Sequence, residues 1–314
     1  MNYLRIGCQL LLFIGLFLLD IRSAAAAERV VFSFSPAANT EISYTVKEAH
    51  HYDIPGKKSV QQTTSHETLL VEKAGKAGVR VRVSIGESRY EEDGMTKPVQ
   101  AVDAMTGRSF RLNVDKGGRI LAAEGMAELA AGIRDSFENP RVREVMAGLW
   151  TEEKLRVRFT DEWNSRIAAF SGRTTRVGES WYGTQEVYMP FIGAVTLYRK
   201  VTIVGTEKLQ GQRVARAVFN WFSDPSALGE ADRRTFTAQE KSLGTIPNLA
   251  SQGVGIVGKG EVWIEPRTMT VLKETQQLRG AFAGVSSGSG TQPPASFVEL
   301  TREIAGVVKP GKKD

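Results

Sequence analysis

Apolar and polar residues alternate with a period of two over much of this chain. Ile42, Tyr44 and Val46 fall on one side of a strand between 41 and 47, with Ser43 and Thr45 on the other. Between 79 and 85 the apolar set is Val79, Val81, Val83 and Ile85, and the intervening residues are Arg80, Arg82 and Ser84. That pattern predicts a sheet with one buried face and one wetted face, and reads the arginines as a solvated strand face. Residues 68–73 and 79–85 bracket the turn sequence AGKAG, which makes them a hairpin. A second hairpin runs through 108–114, turns at DKGG (115–118) and returns at 119–121, its glycines supplying the positive φ of a tight turn. Further strands are predicted at 30–35, 182–188, 194–208, 213–222, 255–265, 269–280 and 296–304.

The period changes in the middle of the chain. Met126, Leu129, Ala130, Ile133 and Phe137 recur at helical spacing. Asn139-Pro140 then offers an N-cap followed by proline at the first helical position, and Val142, Val145, Met146 and Leu149 form the apolar stripe of a second helix. Residues 151–164 fit both periods; Leu155, Val157 and Phe159 alternate, while Leu155, Phe159 and Trp163 share a helix face. Thr151-Glu-Glu resembles a helix start, and helix is the preferred reading. Residues 224–253 read as a polar, irregular loop with short elements, and 284–294 (GVSSGSGTQPP) as a flexible excursion. Strands in runs with no βαβ rhythm predict an α+β fold. Its core is a curved, mostly antiparallel, half-barrel-like sheet with two or three helices inserted mid-chain. The expected organisation is one domain over 28–308 and a disordered basic tail over 309–314.

The first 27 residues do not follow either period. Arg5 precedes an apolar run over 6–19, and Ala25 and Ala27 fit the small-residue pattern of a cleavage site. The run has 14 residues, short of the roughly 20 that span a bilayer. A signal peptide over 1–27 is therefore expected, placing the protein in a bacterial periplasm or outside the cell, with no transmembrane segment in the mature chain. Cleavage after Ala27 takes 27 of 314 residues and leaves 287. It removes Cys8, the only cysteine, and lowers the formal charge from +6 to +5 through loss of Arg5, Arg22 and Asp20. A cysteine-free exported chain must be held by its core, without disulfides. The modest basic excess is dispersed, so no nucleic-acid partner is expected.

Candidate chemistry is sparse. His50, His51 and His66 lie near one another in sequence, but strand alternation sends His50 and His51 to opposite faces, and no metal-ligand spacing accompanies them. GVGIVG at 253–258 has the letters of a dinucleotide loop but leads into a strand, where such a loop needs a helix. GVSSG at 284–288 has the letters of a GxSxG nucleophile motif but lies in the flexible excursion, where such a motif needs a strand-to-helix turn. The expectation is a non-enzymatic protein with no cofactor and no metal. Five tryptophans, Trp150, Trp163, Trp181, Trp221 and Trp263, occupy the second half; as a set they are candidates to line a cavity between sheet and helices, while taken one by one core residue is the preferred reading.

The stretch GEVWIEPRTMTVLK (260–273), a strand, an acidic-Pro-x-Thr turn and a returning strand, resembles a hairpin of the LolA/LolB-like group of periplasmic proteins. The 110–121 hairpin matches more loosely, and RVGESW (176–181) looks like a strand entry in uncharacterised secreted bacterial families. The resemblance implies a half-barrel whose concave side is covered by helices and suits an acyl chain or another apolar ligand. No arginine here matches the carrier's functional one, and the chain is longer than the carrier. The expected function is binding or carrying a hydrophobic small molecule or lipid. The alternative is an envelope module that binds a protein partner.

Overall fold

A computed structural model describes residues 28–54, 57–164, 167, 169–189, 193–243, 254–282 and 296–309. The first half of the chain forms β1 (Arg29–Val31), β2 (Glu41–Ile54), β3 (Lys57–Gly75), β4 (Gly78–Glu92), β5 (Met95–Thr96), a short helix α1 (Gln100–Asp103), β6 (Ser109–Val114) and β7 (Ile120–Glu124). Three helices follow: α2 (Met126–Asp135), α3 (Pro140–Leu149) and α4 (Glu152–Trp163). The second half forms β8 (Thr174–Arg176), β9 (Ser180–Met189), β10 (Gly193–Leu209), β11 (Gln212–Phe222), helix α5 (Glu230–Leu243), β12 (Val254–Ile264), β13 (Val271–Phe282) and β14 (Ser296–Lys309).

Twelve strands make one antiparallel sheet in the order β7-β6-β4-β3-β2-β14-β13-β12-β11-β10-β9, with β5 paired to β4; β1 and β8 form a separate ribbon. The sheet does not close into a barrel, and the fold is α+β with a curved sheet, as the alternation predicts. The last strand joins the halves. β14 pairs with β2 from Phe297↔Asp53 to Lys309↔Glu41, and with β13 from Lys273↔Ala305 to Phe282↔Ser296. The edges are β7 and β9, so the chain must travel from one edge to the other, and α2–α4 lie on that connection.

Alternation assigns the two faces. Ile42, Tyr44, Val46, Val79, Val81, Val83, Phe110 and Leu112 are buried on the inner face. Arg80, Arg82 and Arg111 meet Glu72 on the outer face at 2.9–3.7 Å, and hydrogen bonding from Arg111, with the charges of Arg82 and Arg80, holds the Glu72 carboxyl below its ordinary range. The wetted-face reading of those arginines is correct. What covers the inner face comes from the connection and the N-terminal segment. Met126, Leu129 and Ile133 of α2, Leu155 of α4, then Trp163, Ile167 and Phe170 join Phe32 and Phe34 in a single core. Phe32 packs on Phe170 at 5.2 Å between ring centroids, Phe34 edge-on against Trp163 at 5.8 Å, and Phe110 on Phe159 at 4.4 Å.

Several expectations change in detail. The predicted strand at 30–35 is a strand only at Arg29–Val31; beyond it Phe32, Ser33 and Ser35 donate backbone N–H bonds to Arg173, Pro266 and Arg267, which pin an irregular segment. Asn139 caps α3 as expected, accepting from Arg141 N at 3.0 Å. Of the apolar stripe of α3, Met146 packs against the core, whereas Val142 is 37%, Val145 60% and Leu149 55% exposed. Residues 151–164 are helical over Glu152–Trp163. The loop predicted over 224–253 contains α5, a correction. Its Phe236 packs against Tyr182, Tyr198 and Phe222 on the outer face of β9–β11, a second and smaller cluster. Ala231, Phe236, Ala238 and Leu243 show little helical periodicity over the 14 residues; the acidic first turn of Glu230 and Asp232 was the legible helix signal. Helix α5 also protects an edge, because Gln239 accepts the Tyr182 backbone N–H at 3.0 Å. The predicted signal peptide at 1–27, the excursion at 284–294, residues 244–253 and the tail from 310 lie outside the described residues. No helix among the described residues is long and apolar enough to cross a membrane.

Glycines on β12 make room for the largest inner-face side chain. A Cβ at Gly260 would stand 2.5 Å from the Thr275 carbonyl oxygen and 2.8 Å from the Trp221 ring. Gly260→Ala is expected to lower unfolding free energy in urea by about 1–3 kcal/mol, the cost of overpacking. Gly255→Ala on the same strand, where nothing lies within 4 Å of the added methyl, is the control that stays near the parent.

Candidate functional site on the inner face of the sheet

The strand registers build continuous rungs across the inner face. One rung passes through Trp181, Val201, Phe219, Gly260, Gln276, Arg302, Glu48, Thr63 and Tyr90. The next passes through Gly183, Arg199, Trp221, Gly258, Leu278, Leu300, His50, Gln61 and Glu92. The preceding rung, Ile203, Ala217, Val262, Glu274, Ile304 and Val46, is apolar except for Glu274. Thus the inner face is apolar where the connection covers it and becomes polar two rungs further along, towards the end of β2 that leads into β3.

Each charge in the polar band has a partner or an opposite charge near it. Arg302 Nε stands 3.1 Å from Glu48 Oε1, and both side chains are partly shielded, at 14% and 34% exposure. Lys97 pairs with Glu92. Arg199 is buried; its guanidinium donates to Gln185 Oε1 at 2.8 Å and lies 5.2 Å from the centre of the Phe219 ring. Burial pushes Arg199 down to about 10, against the raising influence of Glu274 and with a smaller lowering from Arg173, so it stays charged at neutral pH. Gln185 Oε1 also accepts from Trp221 Nε1 at 3.0 Å, fixing that indole across the sheet. Tyr52 donates to Gln61 Oε1 at 3.2 Å.

His50 stands apart in this band. Its ring lies parallel to Tyr52 at 6.2 Å between centroids, and its buried Nδ1 has no hydrogen-bond partner among the described residues. Burial lowers its pKa below the ordinary 6.5; Glu48 opposes this and His51 adds to it. His51, directly next in the strand, is exposed on the outer face, where His66 accepts or donates one bond with Thr45 at 3.2 Å. The register puts His51 opposite Val60 and His66 opposite Thr45, so the three histidines do not converge. No group of three or more potential metal ligands occurs among the described residues.

The five tryptophans divide between the two faces. Trp163 is buried, its Nε1 donating to the Gly118 carbonyl at 2.8 Å, and it lines a cavity with Phe34, Ile42, Leu69, Val81 and Ile167. Trp181 is held between Phe170, edge-on at 5.8 Å, and the Arg173 guanidinium at 4.9 Å. Trp221 covers the β12 glycines. Trp150 caps α3 and is partly buried, with Arg158 at 5.8 Å. Trp263 is on the other face. Its neighbours Val262 and Ile264 fill the core, so alternation turns the indole outward between Arg216 at 5.4 Å and Lys273 at 4.7 Å, and its Nε1 bonds Glu207. A cavity shared by all five is therefore corrected to one touched by Trp163. That cavity has a volume of about 20 Å³, room for one water, against roughly 300–1,000 Å³ for a small-molecule pocket. The space beneath the helices is filled by Phe32, Phe34, Ile167 and Phe170. The polar band with His50 was missed by sequence reasoning. Its signal was the replacement of apolar residues by Glu48 and His50 at the in-phase positions after Val46.

No family model and no curated protein matches the chain. Among solved structures it is similar to lipovitellin, described for its lipid–protein interactions, at 6% identity and a TM-score of 0.49; the match covers 88% of this chain and 26% of that one. The chain thus spans about a quarter of lipovitellin's length. It is also similar to a Bacteroides fragilis protein with a YmcC-like fold, described as exported, at 10% identity and a TM-score of 0.24, covering 86% and 97% of the two chains. A third likeness, at 8% identity and a TM-score of 0.17, is to an outer membrane channel from Pseudomonas putida, covering 87% and 97%. At these identities and scores none of the three assigns a function, and none ties the chain to the LolA/LolB-like group.

The environment of His50 has a measurable consequence. Because its folded-state pKa lies below its unfolded value, the unfolded chain takes up the proton first as pH falls, and stability is lost from about pH 6.5 downward until the folded state also protonates. NMR titration of the His50 imidazole is expected to give a midpoint below 6.5, and His50→Leu is expected to flatten the decline in stability between that midpoint and pH 6.5.

Proposed function

We propose that this chain is an exported, non-catalytic binding protein that holds an apolar ligand, a lipid or an acyl chain, against the inner face of its open sheet. The observation that carries this reading is the passage of the inner face from apolar rungs to a half-buried band of hydrogen-bonding groups that includes Glu48, Gln61, Thr63 and Tyr90. A boundary between apolar and polar groups suits a molecule with a hydrocarbon part and a polar end. The ligand belongs on this band and not beneath the helices, where the cavity of about 20 Å³ admits no chain. Export rests on the apolar run at 6–19 and the alanines at 25 and 27.

A second reading, an envelope module for a protein partner, is favoured by one observation: α3 leaves Val142, Val145 and Leu149 exposed. The two readings separate experimentally. Native mass spectrometry of protein purified from its source membranes is expected to show an added mass that organic extraction removes, and the stripped protein is expected to take up a fluorescent fatty acid or acylglycerol. A ligand-free species that takes up neither probe, together with an envelope protein recovered by cross-linking through α3, overturns the binding reading in favour of the module.

A further inference from the structure

Independently of the ligand reading above, we infer that the outer face of β3, β4 and β6, with the two turns at its end, docks the protein on a bilayer surface rich in anionic phospholipid. The basic excess is dispersed along the sequence, and the fold gathers it here. Lys73 faces Arg80 across the β3–β4 register, and Arg82 faces Arg111 across β4–β6. The turn between β3 and β4 adds Lys76, and the turn between β6 and β7 adds Lys116 and Arg119, all three exposed. The two turns adjoin, since a Cβ at Gly78 would stand 2.2 Å from the Val114 carbonyl oxygen. The acids of the same segments, 68–84 and 109–124, are Glu72, Asp115 and Glu124. Seven cations against three carboxylates leave +4, out of +6 for the whole chain. On the neighbouring strand Glu41 pairs with Lys309 at 3.1 Å and adds no net charge.

A β-bulge between Val71 and Lys73 sets Glu72 into this face, and its carboxylate marks where the cations converge. Arg111 Nε lies 2.9 Å from it, Arg82 Nε 3.6 Å and Arg80 Nε 3.7 Å. One carboxylate cannot occupy three guanidinium forks. Arg111 donates its Nε–H to Glu72, Arg80 donates from Nη2 to Glu124, and Arg82 donates no hydrogen bond among the described residues. The three side chains are 37–44% exposed, so donors remain open to solvent in the geometry that phosphate oxygens accept bidentately. The next rung places the hydroxyls of Ser43, Thr68, Ser84 and Ser109 in register, further donors to an oxyanion. The cations spread over three strands, about 4.8 Å apart, and two turns; they cover more than one phosphate and enclose none. That breadth fits an array of headgroups better than a single ion. Helix α5 packs on the outer face at the opposite edge, and among the described residues no helix packs on this one.

The test is co-sedimentation of the purified protein with vesicles of phosphatidylcholine alone and with vesicles of equal parts phosphatidylcholine and phosphatidylglycerol. Binding to the anionic vesicles only is expected, and its loss at about 1 M salt, where charges are screened beyond about 3 Å. The double variant Arg82→Gln/Arg111→Gln is expected to bind about 25-fold more weakly, about fivefold for each charge, with Tm unchanged because these pairs are exposed. Glu72→Gln is expected to bind about fivefold tighter, a gain that misfolding cannot produce. Arg234→Gln on α5, far from this face, is the control that binds as the parent does. Equal binding to both vesicles, full binding by the double variant, or no gain with Glu72→Gln overturns the inference. Saturable binding of inorganic phosphate without vesicle binding replaces the docking surface by a single-anion site. Binding of heparin without vesicle binding overturns the bilayer as the partner.

Discussion

A sheet of twelve strands that stays open has two edges, and in this chain the polypeptide has to pass from one to the other. That crossing is the constraint on which the rest of the structure depends. Strand β7 ends one edge and β9 begins the opposite one, so residues 125–179 must span the sheet. Running over the outer face would bury Arg80, Arg82 and Arg111 and leave the valines of β4 in water. Running over the inner face removes Val79, Val81, Val83, Phe110 and Leu112 from water, at roughly 1.5–3 kcal/mol for each large side chain. The crossing therefore supplies the lid of the core, and Trp163, Ile167 and Phe170 are the side chains by which it fills the trough.

Filling the trough decides what kind of site remains. Phe32 and Phe34 enter from the N-terminal segment and wedge against Phe170 and Trp163, held by backbone bonds to Arg173, Pro266 and Arg267. With both segments in place the space under the helices is close-packed, as interiors generally are. Beyond the crossing the rungs of the inner face turn polar. The packed end and the polar end are consequences of one register: β2 carries Val46, Glu48 and His50 in phase, so the same strand that anchors the core also presents the band.

How much of this was legible in the sequence depends on whether the decisive interaction is local. The hairpins around 75–78 and 115–118, the capped start of α3 at Asn139 and the helical preference of 152–163 all follow from short-range chemistry, and all were read correctly. Strand lengths were underestimated because β2–β4 continue through polar residues that satisfy their backbones in the ladder without showing alternation. Helix α5 escaped because one phenylalanine and an outer-face aromatic cluster of Tyr182, Tyr198 and Phe222, far away in sequence, supply its packing. The face of Trp263 was legible, since Val262 and Ile264 flank it, but grouping five tryptophans by type hid the alternation that separates them.

The band around His50 was invisible for a different reason. Its members come from β2, β3, β4, β13 and β14, and they meet only because β14, the last strand, inserts between β2 and β13. Glu48 and Arg302 are 254 positions apart, and no spacing rule connects them. Read along the sequence, Glu48 and His50 mark a strand becoming wet near its end. Read across the sheet, they continue a rung whose neighbours are Leu300 and Leu278. A polar group in a strand beside a buried leucine has different consequences from one beside water: its hydrogen bonds must be met by the protein or by a ligand. Glu48 and Tyr52 are met by Arg302 and Gln61, while the buried Nδ1 of His50 has no partner among the described residues.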